Sequence, residues 1–171
     1  MFRNILVSID GSPTADQALA QAIDLARTGR ARLTLLTAIP KPPGWICTPM
    51  TACASKQLEL DFEREARNTL CAAVDRVPLD TPVTKILSRE PVREALLVEA
   101  RSGRYDLLVL GAAARHGHAP PRCKVGRYLL RRCDVPVLIV HDEDAPSAGS
   151  GGRREGIPAP APLGQPVTAP S

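Results

Sequence analysis

The sequence predicts an α/β domain, a three-layer sandwich in which a five-stranded parallel sheet carries helices on both faces. Three observations lead there. Five short apolar runs rich in branched residues recur along the chain: Ile5–Ile9, Leu33–Ala38, Val83–Leu87, Leu107–Leu110 and Val135–Val140. Several are continuous rather than alternating, as strands covered on both faces are. Segments of helical period lie between them, and strands alternating with helices at this spacing make βαβ units and a parallel sheet.

Taken in order, the first run ends at Asp10, and Ser12-Pro13 then supplies an N-cap and a first-turn proline. Ala15, Leu19, Ala22, Ile23 and Ala26 share one face of the helix that follows, with Asp16, Gln17 and Arg27 turned away. Gly29 falls where that helix should stop, and Gly103 does the same for the third helix. After the second strand, residues 39–55 hold four prolines and no clear period, and read as an excursion able to fold over a site as a lid. The second helix carries Phe62, Ala66, Leu70 and Val74 at four-residue steps. Glu90-Pro91 opens the third in the manner of Ser12-Pro13, and Val92, Ala95, Leu96 and Ala100 lie together on it. A short basic helix from about Lys124 to Arg132 precedes the last strand. The domain therefore spans 1–141; residues 142–171, dominated by Pro, Gly, Ala and Ser, read as a disordered tail.

The 171 residues suit one such domain, with a core of Leu, Val, Ile and Ala because aromatics are only 3%. The net charge of +4 is mild and interleaved with acids over most of the chain, and does not by itself point to nucleic acid. No apolar run approaches the roughly 20 residues that cross a bilayer, and the N-terminal segment does not fit a signal peptide, so a soluble cytoplasmic protein is expected. The five cysteines, Cys47, Cys53, Cys71, Cys123 and Cys133, form no CxxC pair and suit reduced thiols. Cys71 and Cys133 sit in helical patterns and read as small buried hydrophobes. His116, His118 and Cys123 match no standard zinc spacing, and no metal is expected.

Several separated motifs, in order and at the expected spacing, resemble the universal stress protein family over residues 1–141. They are FRNILVSIDGSPTADQALAQAIDLA, LTLLTAI, SREPVREALLVEA with YDLLVLGAA, and DVPVLIV with its Pro136. The resemblance implies a sheet of order 3-2-1-4-5 and dimers formed through the last strand. For this chain that means a homodimer through the Val135–Val140 edge, which would otherwise be an open template for pairing. It also implies an adenine-nucleotide site in those members that bind ATP. At one end of that site Asp10 and Ala38 match positions contacting adenosine; for Asp10 a turn residue before Gly11 is the simpler alternative.

ATP-binding members carry a signature G-x2-G-x9-G followed by Ser or Thr, running from the fourth strand into the last helix. Gly111 fits the first glycine, at the carboxyl edge of the sheet. The second falls on Ala114, whose methyl narrows the approach to a phosphate. For the third, Gly126 needs two extra loop residues, whereas counting back from Val-Pro-Val puts Cys123 on the glycine, Lys124 on the Ser or Thr and Val125 on the following Val, with a loop one residue short. That second register is preferred. It replaces a glycine cradle by a Cβ and a weak donor, and Pro120 and Pro121 remove two further N–H groups.

The segment from Gly111 to Cys133 nevertheless contains Arg115, Arg122, Lys124, Arg127, Arg131 and Arg132 and no acid, and would attract anions. Arg127, Arg131 and Arg132 also read simply as the solvated face of a short helix. The leading expectation is a regulatory protein of universal stress type with a degenerate ATP site, acting as a homodimer on an unidentified protein partner. The alternative is a working ATP switch in which Lys124 and Arg115 replace the glycine loop. With no GxSxG nucleophile and no paired carboxylates near the loop, catalysis is not expected. The basic loop lacks interleaved aromatics, and DNA binding is the weakest rival.

Overall fold

The computed structural model describes residues 1–42, 52–112 and 123–141. Five strands and four helices alternate: β1 (Asn4–Ser8), α1 (Pro13–Gly29), β2 (Arg32–Ala38), α2 (Ala52–Asp75), β3 (Val83–Ser88), α3 (Val92–Arg101), β4 (Leu107–Ala112), α4 (Lys124–Leu130) and β5 (Val137–His141). Every strand pair is parallel, in the order β3-β2-β1-β4-β5. The predicted sheet and its order are therefore observed.

Alternation of side chains along each strand divides the core into two layers. On one face Ile5, Val7, Leu33, Leu35 and Val109 meet Ala18, Leu19 and Ala22 of α1 and Leu70 and Ala73 of α2. On the other, Leu6, Leu36, Leu108 and Leu110 meet Leu96 and Ala100 of α3 and Leu129 of α4. Apolar burial at roughly 25 cal/mol per Å² is what drives both layers together. At the lower rim, the Asp106 carboxylate accepts the backbone N–H groups of Arg3 and Asn4 at 2.8 and 3.0 Å, clamping β1 beside the entry to β4. These two bonds hold its carboxyl below the usual carboxylate range.

Several boundaries differ from the sequence reading. The excursion ends earlier, because residues 52–55 already belong to α2; residues 43–51 lie outside the described residues, as does the tail from 142. Ser12 caps α1 as expected, its Oγ accepting the Ala15 N–H at 3.2 Å. Gly29 does not end α1 in left-handed conformation: Arg30 does, at φ 51°. Gly29 is instead a close-approach glycine, since a Cβ there would lie 3.1 Å from the Phe2 carbonyl oxygen. In α3 the cap position is Pro91 itself, with no side-chain cap, so Glu90-Pro91 does not repeat Ser12-Pro13. Cys71 is exposed rather than buried, and Cys133 is partly buried one turn beyond α4, its S–H directed at the Leu129 carbonyl at 3.2 Å. β5 starts two residues late, where Pro136 passes its carbonyl to Leu108 N–H but has no N–H of its own to give.

Candidate functional site

In an open α/β sheet the natural cavity lies beyond the carboxyl ends of the strands, where chain connections diverge to the two sides of one strand. Here that strand is β1, flanked by β2 and β4. A cleft of about 870 Å³ opens above these three strand ends. Of the residues singled out from sequence, Asp10, Ala38, Gly111, Cys123, Lys124 and Val125 all line it. Ala114 and Arg115 lie outside the described residues, as do His116 and His118.

Each lining residue is there for a local reason. Asp10 follows β1 and its Oδ1 accepts both the backbone N–H and the hydroxyl of Ser12, at 3.0 and 2.6 Å. It is thus both the turn residue of the simpler alternative and a carboxylate at the cleft. Gly11, next in sequence, sits at φ +77°, a conformation that suits glycine. Ala38 is the last residue of β2. Its small side chain sits beside Ile39, whose N–H donates to the Ser88 carbonyl at 2.8 Å and so steers the next residues over the cleft.

Gly111 is inside β4, paired with Val140, rather than directly after the strand. A Cβ at this position would lie 2.6 Å from the Ala15 nitrogen and from the Thr14 carbonyl carbon and oxygen. The first turn of α1 rests directly on the β4 backbone. Cys123 is the N-cap of α4, and its Sγ accepts the Gly126 N–H at 3.2 Å. Lys124 is the first helical residue and is exposed. Gly126 is buried in the first turn, where a Cβ would meet Ile139 Cδ1 at 2.8 Å. It packs α4 on β5 and does not line the cleft.

Sequence reasoning missed Ser8, Lys41, Pro91 and Val92, which complete the walls. Lys41 matters most, since it adds a second amine to that of Lys124 while, among the described residues, Asp10 is the one acid lining the cleft. The expected excursion beginning at residue 39 was the available signal, but nothing in its composition marked Lys41 as the inward residue. The cleft thus pairs an apolar floor of Ile9, Leu110 and Val125 with a cationic margin, suited to a flat apolar group bearing an anion. Among the described residues no group of three His, Cys, Asp or Glu could hold a metal ion, and no helix is long and apolar enough to cross a membrane.

Comparison with known proteins agrees with the geometry. The Universal stress protein family model matches residues 1–141. Universal stress protein C of Escherichia coli is 25% identical over 142 residues, covering 81% of this chain and 95% of that protein. A universal stress protein family structure from Burkholderia pseudomallei is 29% identical, with a TM-score of 0.57 over 80% of this chain and 94% of that one. The Archaeoglobus fulgidus universal stress protein solved in complex with dAMP is 18% identical, with a TM-score of 0.55 over 81% of this chain and 97% of that one.

Proposed function

The chain belongs to the universal stress protein family, and we propose that it is a non-catalytic regulatory member whose cleft has lost most of its grip on adenine nucleotide. The ligand class comes from the family resemblance and from the dAMP complex of the Archaeoglobus relative. The observation that carries the reading is the bond from Gly126 N–H to Cys123 Sγ at the start of α4. A helix start that holds phosphate leaves its first N–H groups free for ligand oxygens. Here the protein's own side chain takes one of them, and the cap that does so carries a Cβ and a sulfur where the family signature has a bare glycine.

The test is nucleotide content and affinity of the full chain. Protein purified without added nucleotide and then denatured should release far less than one ATP per chain. Calorimetry should show ATP binding strengthened at least tenfold in Cys123→Gly/Lys124→Ser, which restores glycine and hydroxyl. Stoichiometric ATP released from the unaltered chain overturns the reading.

Lys124 and Lys41 on the cleft favour one second reading, a working switch in which amines replace the cradle. It requires micromolar ATP affinity in the unaltered chain, falling about tenfold in Lys124→Ala, the loss of one charge-assisted contact. Under both readings the protein acts without turnover, on a protein partner, as a homodimer. What supports the dimer is β5, an edge strand whose Val137, Leu138, Ile139 and Val140 are all only half-buried.

A further inference from the structure

Away from the cleft, the outward side of α4 carries a one-sided positive charge. Arg127, Arg131 and Arg132 are exposed, and among the described residues none has a carboxylate within ion-pair distance. Several other surface arginines are paired: Arg67 and Arg89 with Glu63, Arg76 with Asp16, Arg93 with Glu94, Arg104 with Glu99. In the sequence no acid occurs between Asp106 and Asp134.

Helical spacing puts residues 127 and 131 along one side. Leu130 stands beside them with 57% of its surface exposed, one of few large apolar side chains left in solvent. The face is also braced. The Arg132 guanidinium lies 4.3 Å over the Tyr128 ring, and the Arg101 guanidinium donates to the Arg132 carbonyl at 3.2 Å. Bracing of this kind lowers the ordering cost of binding.

We infer that this face docks an acidic protein segment carrying a large aliphatic side chain. Carboxylates of the segment pair with Arg127 and Arg131, whose planar forks match them, and the aliphatic group covers Leu130. Charge complementarity selects an anionic partner, and Leu130 selects among anions. A nucleic acid would be met by an aromatic platform or a groove-fitting helix, and α4 offers an aliphatic side chain on a seven-residue helix. An anionic bilayer would need a broader apolar face than one leucine. The site gains significance from its place: Lys124 and Val125 of the same helix line the cleft, so a partner held on α4 touches the element that borders any ligand there.

The experiment is fluorescence anisotropy of the full chain with a fluorescein-labelled peptide of repeating Glu-Glu-Leu-Glu. Polyglutamate of equal charge, oligothymidylate and phosphatidylglycerol vesicles are compared with it. The leucine-containing peptide should bind most tightly, and Arg127→Gln/Arg131→Gln should weaken it about tenfold or more. Leu130→Ser should weaken it several-fold while leaving polyglutamate unchanged. All three side chains are exposed, and circular dichroism checks that each variant remains folded. Equal binding by the arginine variant, or tighter binding of oligothymidylate or vesicles than of the peptide, overturns the inference. So does the absence of peptide binding.

Discussion

A glycine can be required by a ligand or by its neighbours, and at Gly111 the two demands coincide. Its sequence context points to phosphate, yet its geometry answers first to packing, because a Cβ would sit 2.6 Å from backbone atoms of Thr14 and Ala15. Backbone cannot move aside as a side-chain tip can, so the cost of Gly111→Ala is overpacking. We expect that variant to lose about 1–3 kcal/mol of stability in urea titrations performed without nucleotide. An unchanged midpoint would mean that α1 does not rest on β4 and that the glycine serves the ligand alone. The sequence could not show this, since residues 15 and 111 meet only once the sheet has formed. Cys123 was different: counting back from the closing strand placed it at the helix start, and its capping bond lies there. What counting could not supply was the direction of its sulfur, turned back onto Gly126 N–H rather than out toward a ligand.

Element by element, period and punctuation in the sequence located the five strands and four helices of the described residues, with errors confined to ends and faces. The face of α2 shows why. Steps of four residues overshoot a helix of 3.6 residues per turn by about 40° each. The series Phe62, Ala66, Leu70, Val74 therefore drifts off the core, Val74 ends half-buried, and Ala73 takes the buried place beside Leu70. Cys71, one residue past Leu70, is carried out to solvent by the same geometry. The end of α1 misled in another way. Gly29 looked like the left-handed stop, but it is consumed by the close pass of the Phe2 carbonyl, and the left-handed turn falls on Arg30. A residue with a Cβ held there is strained by about 1 kcal/mol or more relative to glycine. Arg30→Gly should accordingly raise the stability of the chain by about 1 kcal/mol, read as a higher urea midpoint at unchanged slope. A lower midpoint would mean that the Arg30 side chain contributes more than its backbone costs.

At the scale of the whole molecule, the two edges of the sheet are unequal. β3 ends one side with Thr84 and Lys85 exposed, polar residues that blunt an edge against pairing. β5 ends the other with four consecutive branched residues, none fully buried, and among the described residues no strand pairs with its outer side. Part of β5's apolar surface stays uncovered within one chain: Leu138 and Val140 lean on the α1 layer, and Val137 on the α3–α4 layer. The remainder is what a second copy can cover, and an edge met by its own two-fold mate closes without leaving a further edge to grow from. Sedimentation velocity at micromolar concentration should therefore give about twice the 18.3 kDa chain mass. Val140→Lys should give the single-chain mass with its circular dichroism intact, because a charge at the strand end opposes pairing without entering the deep core. Thr84→Lys, the matching change on β3, should stay dimeric and so show that the effect belongs to the edge and not to added charge. A single-chain mass for the unaltered protein, or dimers that survive Val140→Lys and dissociate in Thr84→Lys, would remove β5 from the assembly. The half-buried state of its four apolar residues would then need another cover.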